Sequence, residues 1–471
     1  MIHEQLRSTR FLLLGIAILL CHRTNTHADT QATTNSPNVI VILADDLGYG
    51  DLGCYGHPKF KTPHLDRMAA EGARLTQFNT PAPFCAPTRA ALMTGRYPFR
   101  SGMTQNPAPD GGPIADGLTL AASEVTLAQL LKQAGYATSL IGKWHLGHKP
   151  ESLPTKRGFD EYFGIPYSND MRPVQLVDGE KVAEYPLVQA TLTKRYTERA
   201  MQFIDKNQSR PFFLYFAHAM PHKPLAVSEQ GYHKSGAGLY GDVMTELDAS
   251  IGQLFAKLKE LHLDEKTLVI FTSDNGPWYG GSSGGLRGMK GSSYEGGYRV
   301  PCIARWPGRI PKGHVSHQPA VMMDLFATVL KVAHVDSPKD RVVDGRDIFS
   351  LFTSDAVSPH EFVLGHQGDK IATIRDTRWK LHVLKPNDRK EKLEADGRWL
   401  DPRGPDGVTI LAPYEQHQPT DYPGLRTGDA AKPMQLFDLQ SDPGEQHDIA
   451  AQHPDVVERL KKLYDNVAKG N

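Results

Sequence analysis

Residues Asn38–Ala44 read NVIVILA, a short apolar and largely β-branched run that leads directly into Asp45 and Asp46. Such a run is typical of a strand buried on both faces of a parallel sheet. In open α/β sheets, ligands bind beyond the carboxyl ends of the strands. The stretch therefore predicts both the class of the fold and the place of a site.

Four further apolar runs share this character, and amphipathic stretches with helical periodicity lie at 126–134, 196–207 and 240–261. The additional strands are predicted at 137–141, 212–217, 267–272 and 300–305. Alternation of strands and helices indicates an α/β domain with a mostly parallel mixed sheet flanked by helices.

The pattern changes after about Asp347. Short, closely spaced runs at 362–365, 371–375 and 379–384 predict an antiparallel meander. Residues 402–433 are rich in Pro, Gly and Asp and are predicted to form a long surface loop, and 456–468 a terminal helix. A chain of 471 residues also exceeds the usual size of a single core. We therefore expect a large domain over 29–346 and a smaller α+β domain with an antiparallel sheet over 347–471.

The N-terminus has the features of a targeting segment. Arg7 and Arg10 precede the apolar run 11–20, and a polar stretch ends at Ala28. This pattern predicts a signal peptide over 1–28 and an exported protein, periplasmic or extracellular. The run is too short to span a bilayer, so no stable membrane anchor is expected; an uncleaved anchor is the alternative.

Charge and cysteine content argue against two classes of protein. Lys plus Arg and Asp plus Glu both number 53, which gives no support for a nucleic-acid partner. If Cys21 leaves with the signal peptide, Cys54, Cys85 and Cys302 remain, too few for a disulfide scaffold. An odd number leaves at least one cysteine unpaired or chemically modified; pairing of Cys54 with Cys302 stays open.

Acidic residues follow two of the predicted strands. Asp45 and Asp46 end the first, and Asp274 and Asn275 end the fourth. If these ends meet, the oxygen donors suit a hard cation such as calcium, and magnesium less well. The alternative is that each Asp caps a turn.

Cys85 opens the stretch CAPTRAALMTG. Pro87 suits a first helical turn and Gly95 a C-cap, so Cys85 should lie at a helix N-terminus. Free N–H groups and the helix dipole there would stabilise a nucleophile or an oxyanion, with Arg89 one turn away. The alternative is a buried cysteine beside a helix start.

Basic residues also follow predicted strands, namely Lys143, His145, His222 and Lys290. Lysines in a shared cleft could bind an anion, and histidines could act as acid or base near neutral pH. Taken singly, each fits a surface lysine or a structural histidine, and His218 is the weaker neighbour of His222.

Together these motifs resemble the type I, formylglycine-dependent sulfatases of the alkaline phosphatase superfamily. The resemblance extends from Pro37 to about Ala450 and is nearest the arylsulfatase A and N-acetylgalactosamine-6-sulfatase branch. It rests on NVIVILADDLGYGDLGCYG, TPHLDRMAAEGARLTQF, CAPTRAALMTGR, GYATSLIGKWHLG, GFDEYFGIPYSND, TSDNG, LRGMKGSSYEGGYRVP and LFDLQSDPGEQHDIA.

The resemblance implies an alkaline-phosphatase-like fold and a modified nucleophile. A formylglycine-generating enzyme would convert Cys85 to Cα-formylglycine, whose aldehyde hydrates to a diol. One Ca²⁺ would be held by Asp45, Asp46, Asp274, Asn275 and the modified residue 85. Arg89, Lys143 and His145 match residues that hold the diol; Lys290 and His222 match groups that bind sulfate and assist the leaving oxygen. Ser168 matches a further hydrogen-bonding serine.

The implied activity is hydrolysis of a small aryl sulfate or of a sulfated saccharide. Thr88 stands where the family signature usually has serine, which leaves the extent of Cys85 conversion open. The alternatives are a related phosphoesterase or phosphonate hydrolase, and a non-catalytic carbohydrate-binding relative. The particular sulfate ester and the oligomeric state do not follow from the sequence.

Overall fold

The computed structural model describes residues 36–387 and 416–469. The predicted signal peptide at 1–28 and residues 402–415 of the predicted loop lie outside these ranges. Within them, the strands form two separate sheets. The strands are β1 Asn38–Ala44, β2 Ala73–Asn79, β3 Ala137–Gly142, β4 Glu161–Gly164, β5 Leu176–Asp178, β6 Lys181–Glu184, β7 Phe212–Ala217, β8 Thr267–Ser273, β9 Cys302–Arg305, β10 His314–Val321, β11 Val363–Gln367, β12 Lys370–Arg375, β13 Trp379–His382 and β14 Gln435–Asp438.

The helices lie on both faces of the larger sheet, with one at the C-terminus. They are α1 Pro63–Glu71, α2 Cys85–Thr94, α3 Pro98–Ser101, α4 Gly112–Gly117, α5 Leu127–Gln133, α6 Leu192–Asn207, α7 Gly238–Glu260, α8 Glu295–Tyr298, α9 Asp324–Val332, α10 Phe349–Thr353 and α11 Pro454–Lys469.

The larger sheet has ten strands in the order β10-β2-β9-β8-β1-β7-β3-β4-β5-β6. Its centre, from β8 to β4, is parallel, whereas β9, β5 and β6 run antiparallel to their neighbours. Strand β1 is central, with Val39 opposite both Phe213 and Leu268. All residues of β1 are buried, as the continuous apolar run predicts.

Side chains that alternate along β1 divide the core into two layers. Val39, Val41 and Leu43 pack on one face with apolar residues of α2, α5 and α9. Ile40 and Ile42 pack on the other face with residues of α1, α6 and α7. The prediction of a mostly parallel mixed sheet flanked by helices is confirmed.

The predicted helices at 126–134, 196–207 and 240–261 correspond to α5, α6 and α7. Helix α5 begins with a capping box, in which Thr126 and Gln129 each accept the other's backbone N–H. Helix α6 begins at Leu192, four residues before the predicted start. It follows the 3₁₀ turn Gln189–Thr191, and its N-cap Thr191 makes no side-chain capping bond, so the sequence carries no signal that marks this start.

The smaller sheet has four antiparallel strands in the order β11-β12-β13-β14. Three of them match the predicted meander, and α11 buries Leu460 in the same apolar cluster as Leu381 and Leu436. Ile348 and Phe352, around α10, instead pack in the core of the larger sheet. The boundary at 346/347 stays a prediction.

Cys54, Cys85 and Cys302 are all free thiols. The question of a Cys54–Cys302 disulfide is therefore answered in the negative. No helix within the described ranges combines the length and the apolar character needed to cross a membrane.

Candidate active site

Two neighbouring parallel strands, β1 and β8, deliver their terminal polar residues to one point. Asp45, Asp46, Asp274 and Asn275 are all fully buried there. The Asp46 amide donates to Asp274 Oδ1 at 3.2 Å, and Asn275 Nδ2 donates to Asp46 Oδ1 at 2.7 Å. The predicted convergence of acidic side chains at the carboxyl edge of the sheet is what the geometry shows.

Helix α2 brings Cys85 to this carboxylate group. The helix spans Cys85–Thr94, and its C-cap Gly95, with a positive φ of 70°, donates its backbone N–H to Ala91 O. The Cys85 sulfur lies 3.5 Å from Asp45 Oδ1. The Ala86 amide of the first turn donates to Asn106 Oδ1 at 3.0 Å. Cys85 is therefore a buried residue at a helix N-terminus, beside carboxylates.

Three cations surround the carboxylates. Arg89 contacts Asp274 Oδ2 through Nε and a terminal nitrogen, both at 2.8 Å. Lys143 Nζ lies 2.5 Å from Asp45 Oδ2. Lys290 Nζ lies 2.6 Å from Asp46 Oδ1 and 3.2 Å from the Cys85 sulfur. The positive charges offset the buried negative ones.

A serine and a histidine close one side of the group. Ser168 Oγ accepts from Lys143 Nζ at 3.0 Å and lies 3.4 Å from His222 Nε2. His222 Nε2 is 3.6 Å from Asp46 Oδ2, and Nδ1 contacts the Lys223 carbonyl. A carbonyl oxygen can only accept, so Nδ1 carries the proton and Nε2 of the neutral ring is an acceptor within the site.

Other histidines have different surroundings. His145 is buried, with Nε2 3.1 Å from Pro107 O and no hydrogen-bond partner for Nδ1. Burial, together with Lys143, Arg89 and Lys290, lowers the pKa of His145 well below its usual range. His218 instead stacks near Phe216, with ring centroids 4.2 Å apart. This position agrees with the prediction that His218 is a weaker site candidate than His222.

Burial decides the ionisation of Cys85. Burial, with Asp274 nearby, raises the pKa of the Cys85 thiol although Lys143 and Lys290 oppose the shift. The free thiol is consequently neutral near pH 7. A thiolate is the nucleophilic form of cysteine, so the unmodified side chain is a poor nucleophile.

The carboxylates have the character of a cation site. Burial and the neighbouring Asp274 raise the pKa of Asp45, whereas Arg89 and Lys143 overcome burial and hold that of Asp274 low. Asp46 Oδ2 and Asn275 Oδ1 are buried without a hydrogen-bond partner. Donor atoms of Asp45, Asp46, Cys85 and His222 lie within 4.8 Å of one another. Unpaired oxygens next to an incompletely compensated carboxylate fit a hard divalent cation.

Direct contacts join ten of the residues proposed from the sequence into one buried group, namely Asp45, Asp46, Cys85, Arg89, Lys143, Ser168, His222, Asp274, Asn275 and Lys290. His145 is also buried, but its ring contacts Pro107 O and, within the described ranges, no side chain of this group. Asn106, which accepts the Ala86 N–H, was not anticipated. A single Asn in a Pro- and Gly-rich loop carries no signal of this contact.

Comparison with known proteins agrees with this arrangement. The sulfatase family model matches residues 37–335. The chain is 38% identical over 460 residues to N-acetylgalactosamine-6-sulfatase of Canis lupus familiaris, with 90% of this chain and 84% of that protein covered. It is 37% identical over 476 residues to human arylsulfatase A, with 92% and 88% covered.

A solved structure resembles the whole described architecture. The crystal structure of the PsFucS1 sulfatase from Pseudoalteromonas sp. has a TM-score of 0.76 and 28% identity to this chain. The match covers 92% of this chain and 90% of that one. Because the family model matches more than half of the chain and these relatives align along nearly all of it, the chain belongs to the sulfatase family of sulfate ester hydrolases.

Proposed function

We propose that the chain hydrolyses aryl or carbohydrate sulfate esters at the site around residue 85, after conversion of Cys85 to Cα-formylglycine and with Ca²⁺ bound beside it. The convergence of Cys85, three buried carboxylates and three buried cations at one strand edge carries this proposal. Such a site can bind an anionic group and a divalent cation together.

Calcium is the cation that suits this donor set. Asp45, Asp46, Asp274, Asn275 and the modified residue 85 would supply oxygen ligands, which hard cations prefer. When bound, Ca²⁺ would act as a Lewis acid on a sulfate oxygen and as a template for the substrate. The unpaired Asp46 Oδ2 and Asn275 Oδ1 support this assignment.

Conversion of Cys85 would solve the problem of the neutral thiol. Residue 85 as formylglycine would offer a hydrated aldehyde. One hydroxyl would attack sulfur as the bond to the alcohol oxygen breaks, and the other would then lose its proton so that the aldehyde re-forms and sulfate leaves. Pro87 and Arg89, the signature positions next to Cys85, are present. Thr88 donates its hydroxyl to Ala82 O at 3.0 Å, a bond that a serine could also make.

The surrounding cations would bind the charge of the sulfate group. Lys143 and Lys290 contact the carboxylates with short ion pairs, so their charges are held in place before substrate arrives. Preorganised charges of this kind stabilise the oxygens of a transferring group without reorganisation during the reaction. Arg89 holds Asp274 and the Lys143 carbonyl, which fixes both neighbours.

His222 is the candidate for proton transfer to the leaving oxygen. Burial lowers the pKa of His222 well below its usual range in the free site. An anionic sulfate beside Nε2 would favour the protonated ring, from which the proton can pass to the departing alcohol. Ser168, which links Lys143 to His222, would keep the two groups in register.

The relatives and the N-terminal sequence support proposals for the substrate class and the cellular location. Among the relatives, one is named N-acetylgalactosamine-6-sulfatase and another arylsulfatase A, so a sulfated saccharide or an aryl sulfate is the proposed substrate. We also propose export, because Arg7, Arg10 and the apolar run 11–20 form a signal-peptide pattern. N-terminal sequencing of secreted protein should begin after Ala28.

The test is a comparison of matched esters. We expect turnover of p-nitrophenyl sulfate and little turnover of the phosphate and phosphonate analogues, followed by desulfation of at least one defined sulfated saccharide. A preference for the phosphorus esters would contradict the proposal in favour of a phosphoesterase. Binding of sulfated saccharides without any release of sulfate would point instead to a non-catalytic relative.

A further inference from the structure

Lys290 lies on a segment, residues 287–297, that runs between the site and the smaller sheet; we call it the Lys290 segment. On the site side, the Gly291 amide donates to Pro83 O at 3.0 Å, and the Gly276 amide donates to Gly297 O at 3.0 Å. The segment is thereby joined to the residues just before Cys85 and just after Asn275.

The opposite side of the Lys290 segment is held by cations of the smaller sheet. Glu295 is buried and accepts from Lys380 of β13 at 3.0 Å and from Arg375 of β12 at 3.1 Å. Lys380 Nζ also donates to the Ser293 carbonyl at 3.1 Å. A single lysine of the smaller sheet therefore contacts both the backbone and a side chain of the segment that carries Lys290.

Glu445, in the turn after β14, completes this network. Its Oε2 accepts the Glu295 amide at 2.5 Å, and its Oε1 lies 2.6 Å from His382 Nε2 and 3.1 Å from Lys380 Nζ. Burial opposes ionisation of Glu295 and Glu445, but neighbouring cations, Lys380 foremost, hold the pKa of each carboxyl low. Both carboxylates are therefore charged and paired.

A surface contact acts on the same segment. The exposed Asn387 donates its backbone N–H to Ser293 Oγ at 3.2 Å and its side-chain Nδ2 to Gly291 O at 3.1 Å. Gly291 immediately follows Lys290. The smaller sheet and the residues after it thus supply buried and exposed donors to one short stretch of backbone.

We propose that Lys380, Glu445 and Asn387 are positioning residues for Lys290, so that the smaller sheet sets where the Lys290 ammonium meets the sulfate group. The inference rests on the proposed function. A buried polar network with satisfied partners favours one geometry, and a misplacement of about 1 Å can cost roughly 100-fold in rate.

A double-mutant cycle tests the proposal, with kcat/KM for p-nitrophenyl sulfate normalised to the fraction of residue 85 that is converted. We expect Glu445→Gln to lower the rate roughly 10- to 100-fold in the otherwise wild-type enzyme. In the Lys290→Ala background the same change should cost less than about twofold, because its effect passes through Lys290. Equal losses in both backgrounds would overturn the inference.

Two further variants separate positioning from stability. Asp324 is also a buried carboxylate paired to a histidine, His360, at 2.7 Å. It accepts the backbone N–H groups of Val321 and Arg346, and all three partners lie outside the Lys290 segment. Asp324→Asn should lower the melting temperature without coupling to Lys290→Ala. If Glu445→Gln does not fold, Asn387→Ala replaces it, with an expected loss of roughly threefold that vanishes in the Lys290→Ala background.

The two levels of the proposal fail in different ways. Absence of sulfate ester turnover by the wild-type enzyme would contradict the proposed function. If the enzyme is active but Glu445→Gln and Lys290→Ala lower kcat/KM independently, so that the double variant loses the product of the two factors, only the positioning role is contradicted. The same holds if Asp324→Asn couples to Lys290→Ala as strongly as Glu445→Gln does.

Discussion

At the scale of single residues, Lys143 connects the carboxylates to Ser168 and, through it, to His222. Its ammonium contacts Asp45 Oδ2 and Ser168 Oγ, and its backbone carbonyl accepts from Arg89. Lys143→Met should therefore lower kcat roughly 100- to 1,000-fold, the cost of removing one preorganised donor.

Lys149 provides the matched control for this change. Its ammonium is also paired, with Asp116 at 2.6 Å, but its side chain is 43% exposed. Lys149→Met should leave kcat within about twofold, because exposed ion pairs contribute little and this one lies outside the site. Similar losses for both variants, measured by steady-state kinetics, would contradict a specific role of Lys143.

Asp51 makes a residue-scale prediction about pH. Burial raises its pKa to about 7, although Tyr240 OH and the Gly48 and Ser282 amides donate to it. The folded protein therefore binds this proton more tightly than the unfolded chain does. Its contribution to the free energy of unfolding is fully present below about pH 4 and is lost as the pH rises through about 7.

Urea unfolding of wild type and Asp51→Asn at several pH values shows whether the contribution of Asp51 to the free energy of unfolding falls or grows as the pH rises. The free energy of unfolding of wild type minus that of the variant should fall between about pH 5 and about pH 7, by at most about 1.4 kcal/mol per pH unit. A difference that is constant or that grows with pH would show that Asp51 is ionised in the folded protein throughout this range.

The sequence predicts site residues well where chemistry and strand ends coincide. Asp45, Asp274, Lys143 and His222 each follow a strand whose apolar run is unmistakable. Asn106 and Glu445 lie in loops, and their contacts with Ala86 and Glu295 join residues far apart in sequence. Such contacts depend on the folded chain and have no local pattern.

At the scale of elements, α2 is the part that presents residue 85, and its C-cap is under close constraint. A Cβ on Gly95 would lie 2.5 Å from the Phe326 ring, in addition to its φ of 70°. Gly102, the C-cap of α3, has a similar φ of 73° but nothing within 4 Å of a Cβ. An alanine at Gly102 would therefore cause backbone strain alone, whereas an alanine at Gly95 would cause backbone strain and steric overlap with Phe326.

Gly102→Ala should cost about 1–2 kcal/mol of unfolding free energy through backbone strain alone. Gly95→Ala should cost about 1–3 kcal/mol more, because the Phe326 ring has to move. Chemical denaturation of both variants measures the difference. Equal destabilisation would mean that α9, which carries Phe326, does not fix the end of α2.

Element prediction succeeds for buried strands and fails at the edges of the sheet. The continuous apolar runs of β1, β7 and β8 identify them, since both faces are covered. Strand β2 reads ARLTQFN and β10 reads HVSHQPAV, with Pro319 inside it. These two have mixed polar patterns because they lie at one end of the sheet, so neither has the periodicity of a buried strand.

At the scale of the whole molecule, the buried carboxylate group should couple metal binding to stability. A cation that binds only the folded protein stabilises it by about 3 kcal/mol at a concentration 100 times its dissociation constant. Chelation should therefore lower the melting temperature by about 5 °C and abolish turnover, and added calcium should restore both. Magnesium should restore less, because it requires tighter octahedral geometry.

Elemental analysis and scanning calorimetry on the same samples provide the check. Full activity together with an unchanged melting temperature in protein shown to be free of metal would contradict the cation site. Loss of stability without recovery on addition of calcium would assign the site to a different ion.

The two sheets relate to the site in different ways, and this is also a property of the whole molecule. Helix α2 and the segments that follow strands of the larger sheet carry the groups of the site. Lys380 of the smaller sheet and Glu445 in the turn after β14 contact the Lys290 segment. The sequence predicts both sheets from their strand patterns. Their packing joins distant residues, through apolar contacts such as Val321 with the cluster of Leu364 and through buried ion pairs such as Lys380 with Glu295, and strand patterns do not encode these contacts.

Peptide mass spectrometry of the active enzyme is the most direct measurement of the nucleophile. The peptide that contains residue 85 should be lighter than its thiol form by one sulfur and two hydrogens, and heavier by one oxygen, while the Cys54 and Cys302 peptides remain thiols. Turnover should scale with the converted fraction and vanish in a folded Cys85→Ala variant. Fully active enzyme whose residue 85 is entirely free cysteine would contradict the formylglycine mechanism.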